Sequence, residues 1–173
     1  MAVTAKGTPY VESSDLLANY PGVSLSLANH IDTIAKVLQV VSVTHATDVS
    51  TTSESYVTTG LNATITPSLT SSKILILTFV AGVYSTTTGL TTRLTLFRGT
   101  VSGTNLAGEN GFGTVYSAAG AMVVGGIAMT FLDSPATTSP TTYTAGFKSS
   151  TANTSTVQTN ENSSTITLME IGE

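Results

Sequence analysis

The chain of 173 residues contains no cysteine and no tryptophan. Without thiols there can be no disulfide, no thiolate metal ligand and no cysteine nucleophile. Charge is scarce too: Asp, Glu, Lys and Arg make up 9 % of the residues, against about 25 % in an ordinary soluble domain. The six basic residues, Lys6, Lys36, Lys73, Arg93, Arg98 and Lys148, are scattered, and the net charge is −4. No basic stripe tracks phosphates, so nucleic acid is not expected as a partner. Long hydrophobic runs are missing as well. "ILILTFVAGV" (74–83) and "AAGAMVVGGIAM" (118–129) are too short to cross a bilayer as helices, and "MAVTAKGTPY" lacks the apolar centre of a signal peptide. Synthesis in a cytoplasm without membrane insertion is the expectation.

Recognisable catalytic sets are absent. The two histidines, His30 and His45, lack the short spacing of a metal-binding pair. No Gly-x-Ser-x-Gly elbow occurs, and the ten carboxylates show no local pairing of the glycosidase kind. "GENGFG" (108–113) is glycine-rich, but no helix follows to receive a phosphate; it reads as a mobile hairpin loop. No enzyme activity, metal or cofactor is expected. Asn62, Asn153 and Asn162 each open an Asn-x-Ser/Thr triplet, as a Ser/Thr-rich chain produces by composition alone.

What the chain does have is Thr, Ser, Val, Ile and Gly, with a mean hydropathy of +0.27. β-Branched residues fit a pleated surface better than a helix. Low charge also leaves sheet edges and apolar faces poorly protected in a monomer, which favours an oligomer.

The pattern divides the chain in three. Residues 1–22 hold Gly7, Pro9, Pro21 and Gly22 and little that can pack, and read as an extended arm with one short turn at "LLANY" (16–20). Residues 23–38 read as a short helix capped by Ser24. Its apolar positions Leu27, Ile31, Ile34 and Leu38 are spaced 4, 3, 4, as in a coiled-coil seam. A helix so short must lean on something: copies of itself, or the domain that follows. Residues 39–173 read as eight to ten short strands separated by turn signals, with no helix required. The expected fold is mainly β, an antiparallel sandwich of jelly-roll kind. "KILILTFVAGVY" (73–84) is apolar on both faces and reads as a strand buried between layers. Phe79 and Phe131 are expected in the core, and Phe112 with Tyr116 beside the glycine loop as a ligand-facing pair.

Particular stretches carry a resemblance. The leader "GTPYVESSDLLANYPGVSLSLANHID", the stretch "TSESYVTTGLNATITPSLTSSKILILTFVAG" (52–82), "FLDSPATTSPTTYTAGFKSS" and the terminal "STITLMEIGE" resemble bacteriophage tail-fibre and tail-tip structural proteins. The resemblance spans nearly the whole chain and brings no active-site motif. It implies a homotrimer held in the virion by its N-terminal arm, in contact with other tail or baseplate proteins, with the sandwich as a head meeting a host surface glycan. A capsid decoration protein with no receptor is the alternative; a polysaccharide-degrading tail enzyme is disfavoured by the missing carboxylate motif. In a head fixed at one end, the far loops would carry recognition. Loops 99–112 and 149–163, with Asn105, Asn110, Phe112, Asn153 and Asn160, are the expected contacts. Their amides and single ring suit a neutral sugar.

Overall fold

A computed structural model describes residues 2–3, 9–10, 24–26, 36–87, 89–117 and 124–172. Two compact units are present: Met1–Lys36 together with Gly172–Glu173, and Val37–Ile171. In the first, β1 (Ala2–Val3) pairs antiparallel with β2 (Pro9–Tyr10), and residues 24–26 are helical. Most of the expected arm, together with seam residues Leu27, Ile31 and Ile34, lies outside the described residues. The fourth seam residue does not belong to a helix: Leu38 sits in strand β3 (Lys36–His45). The cause is local. "KVLQVVSVTH" carries four valines, whose branched Cβ atoms favour an extended chain, so the strand starts at Lys36, inside the stretch expected to be helical.

The second unit is built from β3 and ten further strands. These are β4 (Val49–Thr51), β5 (Val57–Ile65), β6 (Lys73–Ser85), β7 (Leu90–Arg98), β8 (Thr104–Asn105), β9 (Gly113–Ser117), β10 (Gly125–Asp133), β11 (Thr141–Ser149), β12 (Ser155–Val157) and β13 (Ser164–Gly172). One sheet runs β3-β13-β6-β12-β4 with β10 on the other edge of β6; the second runs β5-β11-β7-β8 with β9 also on β7. Strands β12 and β13 follow one another along a single edge of β6, with Thr156 opposite Tyr84 and Thr165 opposite Phe79. β8 and β9 share an edge of β7 in the same way. Counting β3–β4, β8–β9 and β12–β13 each as one interrupted strand leaves eight. Their order is first, eighth, third, sixth in one sheet and second, seventh, fourth, fifth in the other. Every strand thus lies beside the one it would meet if a single long hairpin were wrapped into two sheets, which is the jelly-roll arrangement. The short strands β4, β8 and β12 fall inside stretches that read as loops, because two or three residues show no periodicity.

Alternation places the core between the sheets. Ile74, Ile76 and Val80 of β6 face Leu94 and Leu96 of β7, Tyr143 and Phe147 of β11, and Leu61 and Ile65 of β5 within one buried cluster. β6 is not buried on both faces. Leu77 and Phe79 point outward and are 37 % and 44 % exposed, so Phe79 is not a core residue; the outer face of this sheet has no second layer among the described residues. At one end Asp133, the last residue of β10, accepts the Tyr143 hydroxyl at 2.7 Å and pairs with Arg98 at 3.3 Å, tying the sheets together. Burial, and then this hydrogen bond to a carboxylate, push the Tyr143 hydroxyl well above its ordinary pKa.

A fully buried carboxylate fixes the other polar junction. Glu170 of β13 accepts the Ser68 backbone N–H at 2.6 Å, the Ser72 hydroxyl at 2.7 Å and the Gln39 amide at 2.6 Å. It thereby pins the 66–72 connection to β3 and β13. Burial alone would raise its pKa, but these hydrogen bonds to the charged form outweigh it and hold the group below the usual carboxylate value. A lowered folded-state pKa adds stability at neutral pH that is lost as pH falls through that value. Urea unfolding between pH 7 and pH 3 is expected to show this loss, and Glu170→Gln to flatten it. Glu170→Ala is expected to cost about 1–3 kcal/mol for each buried donor left without a partner.

Candidate functional site

The outer face of the second sheet is where side chains with chemistry converge. In "TYTAGFKS" the inward set is Tyr143, Ala145 and Phe147, so Thr144, Gly146 and Lys148 face out. The register sets Thr144 opposite Phe97, Gly146 opposite Thr95 and Lys148 opposite Arg93. A basic pair therefore lies side by side on adjacent strands, although 55 residues separate the two in sequence.

The chain after β7 roofs this face. A tight turn, closed by the Gly103 N–H on the Thr100 carbonyl at 2.8 Å, leads into β8. Leu106 N–H bonds the Leu96 carbonyl and Phe112 N–H bonds the Leu94 carbonyl, at 2.9 and 2.8 Å. Residues 107–111 leave the ladder between these bonds as a bulge. Asn105 builds the bulge from below: its Oδ1 accepts from Thr95 Oγ1 at 2.7 Å and from the Ala107 N–H at 3.1 Å, and its Nδ2 donates to the Gly108 carbonyl at 2.8 Å. Gly111 closes it with φ of 72°, where a Cβ would run into the Leu94 carbonyl.

The bulge carries Glu109 across to Lys148, with which it forms a hydrogen-bonded ion pair. Tyr56, just before β5, completes the corner. Its hydroxyl donates to the Glu109 carbonyl at 3.0 Å, its ring meets Phe97 edge-on at 5.7 Å, and the Lys148 ammonium lies 4.7 Å from its ring centre. Together with Glu54, Val101 and Asn105 these groups line a pocket of about 340 Å³. The Lys148 hydrogen bond, and then its charge, hold the Glu109 carboxyl below its ordinary pKa. Burial, and then the Glu109 charge, push the Tyr56 hydroxyl up. The site can grip an acidic or hydroxylated group and stack a ring; among the described residues no group of three possible ligands could hold a metal.

The five expected contacts do not form one surface. Asn105 lines the pocket but its amide is engaged in building the bulge, and Asn110 Oδ1 accepts from Arg93 Nη1 at 2.5 Å. Phe112 does not offer a free stacking face: its ring packs edge-on against Phe131 at 5.9 Å. Tyr116 is 55 % exposed on β9, so the two do not make a ligand-facing pair. Asn153 accepts from Thr87 Oγ1 at 3.3 Å in a separate turn. Residues 149–163 are not one loop, since β12 runs through them. Asn160 belongs to a turn at 158–161 in which Gln158, Asn160 and Glu161 all have φ near 56°, strained for residues with a Cβ. The turn is held by the Glu161 N–H on Asp48 Oδ1 at 3.1 Å. The buried Gln158 amide adds to this: assigned by its surroundings, its nitrogen donates to the Thr47 and Thr59 carbonyls at 3.3 and 3.2 Å and its oxygen accepts from Ser164. "GENGFG" forms a bulge tied at both ends to β7 rather than the turn of a hairpin. Lys148, Arg93, Tyr56 and Glu109 were missed as a set because only pairing brings them together, although alternation in "TYTAGFK" does put Lys148 on the outward face.

Removing the Glu109 charge is expected to lower the Tyr56 pKa toward the ordinary phenol value, because a nearby anion opposes phenolate formation. A pH titration of the Tyr56 ring signals by NMR in Glu109→Gln checks this. Tyr56→Phe is expected to cost about 1 kcal/mol from its one hydrogen bond. Tyr56→Ala is expected to cost more, through the lost ring contact; urea unfolding measures both.

No protein-family model and no curated protein matches the chain. Among solved structures it is similar to the infectious bursal disease virus VP2 subviral particle, with 14 % identity and a TM-score of 0.37, over 77 % of this chain. The chain spans 38 % of that VP2 chain.

Proposed function

We propose that the protein is a virion structural subunit of the tail-fibre or tail-tip kind, in which the sandwich is a binding head and no reaction is catalysed. The observation that carries this reading is the division of the chain. A jelly-roll unit, Val37–Ile171, forms one compact body, and the leader belongs to another. The leader's wording resembles phage fibre attachment segments, and the head bears a roofed pocket lined by an aromatic ring and charged groups. A rigid scaffold with side chains gathered under one irregular segment is how binding domains are commonly built.

The head associates with copies of itself through the outer face of the β3-β13-β6-β10 sheet. On that face Val40, Leu77, Phe79 and Leu132 are 37 % to 55 % exposed. The outward positions of the four strands, read from the register, hold no Asp or Glu. Leu38, which the 4-3-4 spacing assigned to self-association, shares the outward side of β3 with Val40 and Ser42; Ser42 marks that side by bonding Thr167 at 3.0 Å. The apolar face thus extends through Leu38, and a second and third copy are its occupants.

Light scattering is expected to give the mass of a trimer for the full chain and a smaller species for Phe79→Asp combined with Leu132→Asp. A monomeric wild-type chain would overturn the assembly. Antibodies against the sandwich are expected to label tail ends of purified particles and to block adsorption. Label spread over the capsid would favour the decoration reading.

A further inference from the structure

We propose that the pocket beside the 107–111 bulge binds a sugar bearing one anionic group, a carboxylate or a phosphate, which takes the place of the Glu109 carboxylate on Lys148, with Arg93 as the neighbouring cation on β7. This rests on the reading of the sandwich as a binding head, and it replaces the neutral sugar that the asparagines suggested.

Three observations carry it. First, Lys148 and Arg93 stand directly opposite one another on β11 and β7, and like charges in that position repel. Among the described residues Glu109 pairs with Lys148, and Arg93 bonds the neutral Asn110 amide rather than a carboxylate. Second, donor capacity is left over. Arg93 Nε is buried with no hydrogen-bond partner, and Nη1 of the same guanidinium is given to the neutral Asn110 amide. A buried unpaired donor on a guanidinium is costly, and an oxyanion is the partner that suits it best. Third, the existing ion pair is lopsided: the Lys148 side chain is 7 % exposed and the Glu109 side chain 82 %. Lys148 is fixed by its surroundings, while Glu109 can swing into water and be hydrated there. An incoming anion meets a held cation and a loosely held competitor.

The rest of the pocket selects the ligand. The Tyr56 ring and Val101 offer apolar surface to a sugar ring. The volume of about 340 Å³ lies at the small end of ligand pockets, about 300–1,000 Å³. Glu54 on the lining and the acidic chain as a whole repel a polyanion, which limits the ligand to a single anionic group.

The test uses the full chain and NMR titration of the Tyr56 ring signals with glucuronate, glucose 6-phosphate and glucose. Glucuronate, glucose 6-phosphate or both are expected to give saturable shifts that weaken with added salt, and glucose none; the two anions separate a carboxylate site from a phosphate site. Lys148→Met is expected to weaken binding by about tenfold or more, the size of a lost charge-assisted hydrogen bond. Arg93→Gln, a second route should the first variant fold poorly, is expected to weaken it too. Glu109→Gln removes the internal competitor and is expected to tighten binding by about two- to fivefold, the worth of an exposed ion pair. Weaker or unchanged binding in Glu109→Gln, equal response to glucose, or no response to either anion would overturn the proposal. A head that adsorbs to cells without any anion dependence would sink this inference and leave the binding-head reading standing. Anion binding by a protein spread over the capsid would do the reverse.

Discussion

Antiparallel pairing along β6 is the constraint on which the rest of the structure depends. This thirteen-residue strand carries β10 on one edge and β13 followed by β12 on the other. Once those pairings are set, the inward side chains of β6 demand a second layer, and the β5-β11-β7 sheet supplies it. Break the β6 registers and the jelly roll has no axis. The pairing also explains Gly82. There φ is 58° and a Cβ would meet the Thr159 backbone nitrogen at 2.5 Å, so the turn that separates β12 from β13 can lie flat on β6 only because this residue has no side chain.

A chain with so few charges cannot rely on ion pairs to organise its buried polar groups, and hydroxyls take that part. Thr92 bonds Ser155 at 2.8 Å inside the sandwich, and Thr59 donates to the Ala145 carbonyl at 3.0 Å beside the irregular register of β5 and β11. The few carboxylates that are buried sit where elements must be locked: Asp133 between the sheets and Glu170 under the 66–72 connection. Both are surrounded by donors, which is the condition under which a buried charge is tolerated. Lys148 departs from this economy. Its partner is on the surface and its cross-strand neighbour has the same sign, which makes it the place where ligand chemistry is best supported.

Exposure follows the same logic. The bulge and the turn before β8 cover part of the second sheet, so its outer face is polar and sheltered around Lys148 and open at Asn62, Thr64 and Tyr116. The first sheet has no such roof among the described residues and shows Leu77, Phe79 and Leu132 instead. One face offers a pocket and the other an apolar plane.

Strand periodicity is written in the sequence because side chains alternate with period two whatever the partner. The β class, the positions of β6, β7, β10, β11 and β13, and the sandwich were therefore legible without coordinates. The boundary at Lys36 was misplaced because a 4-3-4 spacing of Leu and Ile competes with a run of valines, and the valines decide the backbone. Phe79 was misjudged because a strand's composition does not say whether its second face is covered. Most of the candidate site was not legible. Arg93, Lys148, Tyr56 and Glu109 come from four separate stretches, and only the register of β11 on β7 and the bulge at 107–111 bring them within reach. Sequence by itself fixes which side of its own strand a residue faces; which residues it faces there depends on pairing between distant segments, and that only the tertiary structure decides.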